Sequence, residues 1–173
     1  MKSKISIVGL GNILLRDEGV GVHAVEALRK KYDFPEEVRL LDGGTLGLDL
    51  LPLIEGMEKV LFIDAVDFQR APGTIGVVED EAIPSCLEPK LSLHHVGLSD
   101  LLFASRFLGT HPAKVALIGI QPENLEVGLE LSPAVKGRLE ELLQAVVQKL
   151  REWGWESKEK TVGEFDHVPG HSV

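Results

Sequence analysis

Three successive runs of strand-forming residues lead to Glu18, Asp42 and Asp64, and a histidine pair, His94-His95, follows in a more irregular stretch. Three oxygen sources and an imidazole gathered at one place would suit a borderline divalent metal such as nickel, zinc or iron. With only three strong ligands, one coordination position stays open for a substrate. Each residue also has a plainer reading. Glu18 would complement a helix dipole from the first turn, by ~0.3–1 kcal/mol. Asp42, in Asp-Gly-Gly, and Asp64, at a strand end, would serve turn hydrogen bonding. Asp17 reads first as a loop cap beside Glu18. Their shared place after successive strands favours the chemical reading.

The elements that would bring these residues together follow from hydrophobic patterning. Residues 4–9 predict a buried strand and 18–31 a helix, with Val20, Val22, Ala24, Val25 and Leu28 on its apolar side. Val38 to Leu41 predicts a second strand, 46–56 a short helix, and Val60 to Ile63 a third strand. After Pro72-Gly73, Thr74 to Val78 predicts another strand. Residues 80–96 read as irregular, 98–108 as a helix capped by Ser99, and Val115 to Ile120 as the last strand. Ser132 and Pro133 open a final helix whose stripe runs from Val135 to Trp153. Strands alternating with helices imply an α/β fold: a mostly parallel twisted sheet with helices on both faces, a three-layer sandwich. One domain over residues 1–154 is expected, with a polar, loosely held tail over 155–173. Ligands in such folds bind beyond the carboxyl ends of the strands.

Bulk properties narrow the function. The 173 residues carry 18 basic and 27 acidic side chains, a formal charge of −9, which argues against a nucleic-acid or anionic-membrane surface. No apolar run approaches the ~18–20 residues a membrane helix needs. The lone cysteine, Cys86, forms no internal disulfide and fits a reducing cytoplasm. It reads as a packed thiol, His23 as structural or surface, His111 as exposed loop, and His167 and His171 as part of the tail.

Gly9-x-Gly11 after the first strand invites comparison with a dinucleotide loop. The third fingerprint position is Leu14 rather than glycine. Asp17 and Glu18 would repel a pyrophosphate at short range. A nucleotide enzyme is therefore disfavoured, and thermal protection by nucleotides but not by divalent metals would reinstate it.

Five motifs in order then resemble one family. Gly9-x-Gly11-Asn12-x-Leu14-x-x-Asp17-Glu18-Gly19-x-Gly21 resembles the opening motif of the nickel–iron hydrogenase maturation endopeptidases. Asp42-Gly43-Gly44-Thr45, Asp64-Ala65, His94-His95-Val96-Gly97 and Gly119-x-Gln121-Pro122-Glu123 are similar to their later ones. The likeness spans about residues 4–153. It implies an endopeptidase that removes a short C-terminal extension from the nickel-loaded precursor of the hydrogenase large subunit. Carried over by position, Glu18, Asp64 and His94 would contact the metal, with His95 either replacing or assisting His94. The nickel would be carried by the substrate rather than held permanently. The attack on the peptide bond could use a metal-polarised carbonyl or water, or a carboxylate base, with Asp42 or Asp17 available. A monomer that embraces another protein's tail is the expected form. A binding module that holds nickel without cutting is the alternative.

Overall fold

A computed structural model describes residues 4–87 and 93–161, with the side chains of 93–96 outside the description. Five strands form the main sheet: β1 (Ile5–Leu10), β3 (Val38–Gly44), β4 (Lys59–Ala65), β5 (Ile75–Glu79) and β6 (Lys114–Ile120). Their order is β3-β1-β4-β6-β5. The first four in that order are parallel, and β5 closes the edge antiparallel to β6.

Alternation along each strand divides the core in two. Ile5 and Ile7 of β1, Leu61 and Ile63 of β4, and Ile118 and Ile120 of β6 face α1 (Val20–Lys31) and α6 (Leu139–Glu152). Val8, Val60, Phe62, Val115 and Leu117 face α2 (Leu51–Ile54), α3 (Ala82–Leu87) and α4 (Leu93–Phe107). Strands covered on both faces have no polar side to show, so they read as unbroken apolar runs.

From β1 the chain crosses to β3 on one side, and β4 returns on the other. The switch of direction falls between β1 and β4, and ligands in open α/β sheets usually bind beyond the carboxyl ends of the strands at such a point.

Several expectations need correction. The helix expected from 18 begins as a tight 3-10 turn, Arg16–Gly19, and becomes α-helical only at Val20. Residues 80–96 are not irregular throughout: α3 occupies Ala82–Leu87 and α4 starts at Leu93. Ser99 therefore lies inside α4 and does not cap it. The final helix is split into α5 (Pro133–Lys136) and α6, although Ser132 caps the first piece as expected, its Oγ accepting from Val135 N at 3.3 Å.

The start of the tail is not loose. Strand β7 (Lys158–Glu159) pairs antiparallel with β2 (Tyr32–Asp33), and Trp155 packs on the core. Lys59 holds this segment from below, lying over the Trp153 and Trp155 rings and donating to the Trp153 carbonyl at 3.0 Å. His167, His171 and the rest of the tail after 161 lie outside the described residues. His111 is half-buried rather than exposed, sharing a 2.8 Å hydrogen bond through Nδ1 with Ser105 Oγ.

Candidate active site

The opening glycine motif is a device for close backbone packing. A Cβ on Gly9 would lie 2.1 Å from the Gly21 carbonyl oxygen, and one on Gly21 would lie 2.1 Å from that of Ile63. The first turn of α1 thus rests directly on the ends of β1 and β4. Gly11, at φ +119, brings its Cα against the Glu18 carbonyl, where a Cβ would sit at 1.7 Å. Only glycine fits such approaches. The result is that the Arg16–Gly19 turn is clamped over the sheet edge and Glu18 is delivered beside Asp64. These glycines leave no cradle for a phosphate.

Glu18 is 9% and Asp64 1% exposed. The Asp64 Oδ1 accepts from Ala65 N at 2.8 Å. Burial pushes the Asp64 pKa up to about 8; the Glu18 charge adds to this and the Ala65 N–H opposes it. Two adjacent buried acids in this state hold a proton that a cation would displace, so the donor set fits a divalent metal. Alternation places Asp64 on the same sheet face as Val60 and Phe62, the face that α4 covers.

His94 falls in the first turn of α4, but its side chain and that of His95 lie outside the described residues. A Cβ on Gly97, one turn further on, would lie 3.5 Å from the Gly47 Cα, and Gly97 and Leu98 help line a small cavity of about 90 Å³ with Gly44, Thr45 and Gly47. Among the described residues, no group of three histidine, cysteine, aspartate or glutamate side chains comes together as a metal centre. The described part of the site is the carboxylate pair.

Asp42 lies two residues before the end of β3, paired in register with Gly9 of β1. It is exposed, and its Oδ1 accepts from Gly44 N at 3.0 Å, the turn chemistry expected of Asp-Gly-Gly. It also lines a cavity of about 180 Å³ with Gly11, Asn12, Ile13, Gly44 and Thr45. The turn role and a place on an open cavity therefore coexist in one residue.

Asp17 is different. It is fully buried, with Oδ2 accepting from Glu123 N and Asn124 N at 2.9 Å and from Ser132 Oγ at 2.7 Å, and Oδ1 accepting from Ser132 N at 2.7 Å. Burial works to raise its pKa, but the bonds from Asn124, Ser132 and Glu123 outweigh this and hold it below the ordinary value. A carboxylate so occupied is a poor proton acceptor, and the catalytic expectation for Asp17 gives way to the loop-cap reading. The link to Ser132 spans 115 residues, and no sequence signal announces it.

Asp17→Asn is expected to cost about 2–3 kcal/mol, because an amide turns a donor toward backbone N–H groups. A depressed folded pKa gives stability that is full above the unfolded carboxylate's value of about 3.9 and fades as pH falls through the folded one. The gap between the two urea midpoints should therefore narrow below pH ~4. A constant gap would show that the charge on Asp17 is irrelevant to the fold.

Comparison with known proteins points to one family. A family model described as hydrogenase maturation protease matches residues 22–149, more than half of the chain. The hydrogenase 2 maturation protease of Escherichia coli K12 is 43% identical over 155 residues, covering 89% of this chain and 94% of the relative. The hydrogenase expression/formation protein HupD of Rhodobacter capsulatus is 41% identical, over 88% of this chain and 74% of its own. A solved structure of the hydrogenase maturating endopeptidase HybD from E. coli superposes with a TM-score of 0.87 at 41% identity, covering 92% of this chain and 98% of the other. The [NiFe] hydrogenase maturation protease HybD from Thermococcus kodakarensis, 27% identical, gives 0.68 over 87% and 99% of the two chains.

Proposed function

Since the chain belongs to the hydrogenase maturation protease family and is a peptide hydrolase, we propose that it removes a short C-terminal extension from the nickel-loaded precursor of the nickel–iron hydrogenase large subunit. The observation that carries the reading is the buried Glu18–Asp64 pair at the sheet's switch point, with α4 and His94 on the face toward which Asp64 points. Two carboxylates and an imidazole make a partial shell. A metal presented by the substrate would complete it.

In this reading Glu18, Asp64 and His94 contact the nickel that the precursor carries. Asp64 gives up its proton as the cation arrives, so an unloaded precursor gains nothing from the pair. Nickel supplies Lewis acidity toward the nearby carbonyl or water. Asp42 takes the proton of the attacking water, from its exposed position on the cavity wall. The backbone of Gly44 lets the substrate chain approach closely, while Gly43 packs inward against Val8 and Leu10. Asp17 holds the Glu18 turn in place and transfers no proton.

The proposal includes a cytoplasmic, monomeric enzyme. The single cysteine supports that location, and among the described residues no helix is long and apolar enough to cross a membrane.

A mass-shift assay tests the reading. Nickel-loaded precursor should lose a short C-terminal peptide, and nickel-free precursor should not. Glu18→Gln and His94→Ala should keep a wild-type melting curve and lose cleavage. Processing of the nickel-free precursor at an equal rate would remove the metal-contact role from all three residues.

A further inference from the structure

The loop between β6 and α5 exposes a run of apolar side chains that the site does not use. Leu125 is 50%, Val127 82% and Leu129 65% exposed. They alternate with glutamates: residues 121–132 hold three, Glu123, Glu126 and Glu130, and no lysine or arginine. Scattered apolar residues on a surface need no explanation, but a contiguous group does.

This loop is not left to find its own shape. Gly128 N donates to Leu14 O at 2.8 Å, and Arg16 N donates to Gly128 O at 2.9 Å, so the loop is stitched to the segment that delivers Glu18. The buried Asp17 carboxylate pins its base through Glu123, Asn124 and Ser132. Arg16 is packed beneath Gly128, where an added Cβ would meet its Nε at 2.8 Å. A slack loop would turn its leucines inward to escape water. Here a buried charge is committed to holding them outward, which is the preorganisation a binding surface needs.

The stitching also makes the loop continuous with the site. The neighbouring Ile13 and Leu14 are exposed too, and Ile13 forms part of the cavity wall that holds Asp42. We propose that the 123–131 loop, with Ile13 and Leu14, is a docking surface for an apolar, lysine- or arginine-bearing segment of the hydrogenase precursor. The inference rests on the proposed function. Apolar contact supplies the affinity, and the three glutamates select a basic partner over an acidic one. The surface sets how tightly the precursor binds, while Glu18, Asp64 and Asp42 set whether it is cut.

The test is the cleavage kinetics of nickel-loaded precursor with a Leu125→Ser/Val127→Ser/Leu129→Ser triple variant and a Glu126→Lys/Glu130→Lys double variant. The triple variant should raise KM at least about tenfold with kcat retained and melting unchanged. The double variant should raise KM and lose the wild type's sensitivity to salt. Unchanged KM in the triple variant, with wild-type enzyme active, overturns the docking surface. A fall in kcat alone overturns it too, since the loop would then act on site geometry. Unchanged KM in the double variant overturns the basic character of the partner. A wild-type dimer that the triple variant dissociates would assign the face to a second copy of the chain instead. Failure of wild-type enzyme to cut any precursor would instead overturn the proposed function on which the surface depends.

Discussion

Asp64→Asn should abolish precursor processing and, in the same protein, raise the melting temperature, most of all at and above neutral pH. The folded carboxyl titrates at about 8, against about 3.9 in the unfolded chain. Between those values the native state keeps a proton that the unfolded state has released. Native protein then binds more protons, so stability falls as pH rises through this window, by at most about 1.4 kcal/mol per pH unit. Asparagine has the same shape and no charge to bury, so the variant escapes the loss. Thermal melts of both proteins without divalent metal, from pH 4.5 to 8.5, should start close together and diverge, the wild type falling relative to the variant. Parallel curves would mean that the Asp64 carboxyl is not destabilised by burial beside Glu18. A variant that melts early and is inactive would make Asp64 a structural turn residue and nothing more. The expected combination, a more stable and inactive protein, is the signature of a site that keeps an unfavourable charge for function.

Gly21→Ala should have the largest effect on the fold. Within a helix alanine is favoured over glycine by about 1 kcal/mol, so α1 viewed alone predicts a stabilised variant. The packing decides otherwise. The new Cβ would meet the Ile63 carbonyl oxygen at 2.1 Å, the Leu10 oxygen at 2.4 Å and the Leu10 nitrogen at 2.6 Å. All three are backbone atoms of the central strands and cannot rotate aside. Lifting α1 off the sheet would open the core around Val25 and Leu28 and pull the Glu18 turn with it. A net loss of about 3 kcal/mol or more is expected in urea unfolding. Gly47→Ala serves as the contrast. It has open space around it and φ +54, so the expected cost is only the left-handed backbone penalty of about 1–2 kcal/mol. Equal losses at the two positions would show that helix-to-sheet contact is not what Gly21 provides.

The order of strands and helices was legible because buried parallel strands have no polar side. Runs such as Val60 to Ile63 and Val115 to Ile120 announce themselves by composition. So do the stripe of α6 and the cap at Ser132. The positions of Asp42 and Asp64 were legible too, since both sit near the carboxyl ends of strands, β3 and β4, that the sheet brings together. The mostly parallel sense of the sheet follows from local patterning alone. Where α4 begins was hidden, because Leu93 to Gly97 carries polar and glycine residues that weaken the helical stripe. The pairing of Lys158–Glu159 with Tyr32–Asp33 was hidden too, since two-residue strands leave no period to detect.

The two neighbouring acids show most clearly where local reading stops. Asp17 and Glu18 are adjacent, of one chemical type, and equally suited in isolation to a metal, a base or a cap. What separates them is which atoms each one meets. Asp17 meets four donors from residues more than a hundred positions away, and its charge is absorbed into the fold. Glu18 lies close enough to Asp64 for its charge to push the Asp64 pKa up further. Residue type and order were written along the chain; the division of labour between two carboxylates came from long-range hydrogen bonding and burial, which exist only once the chain has closed on itself.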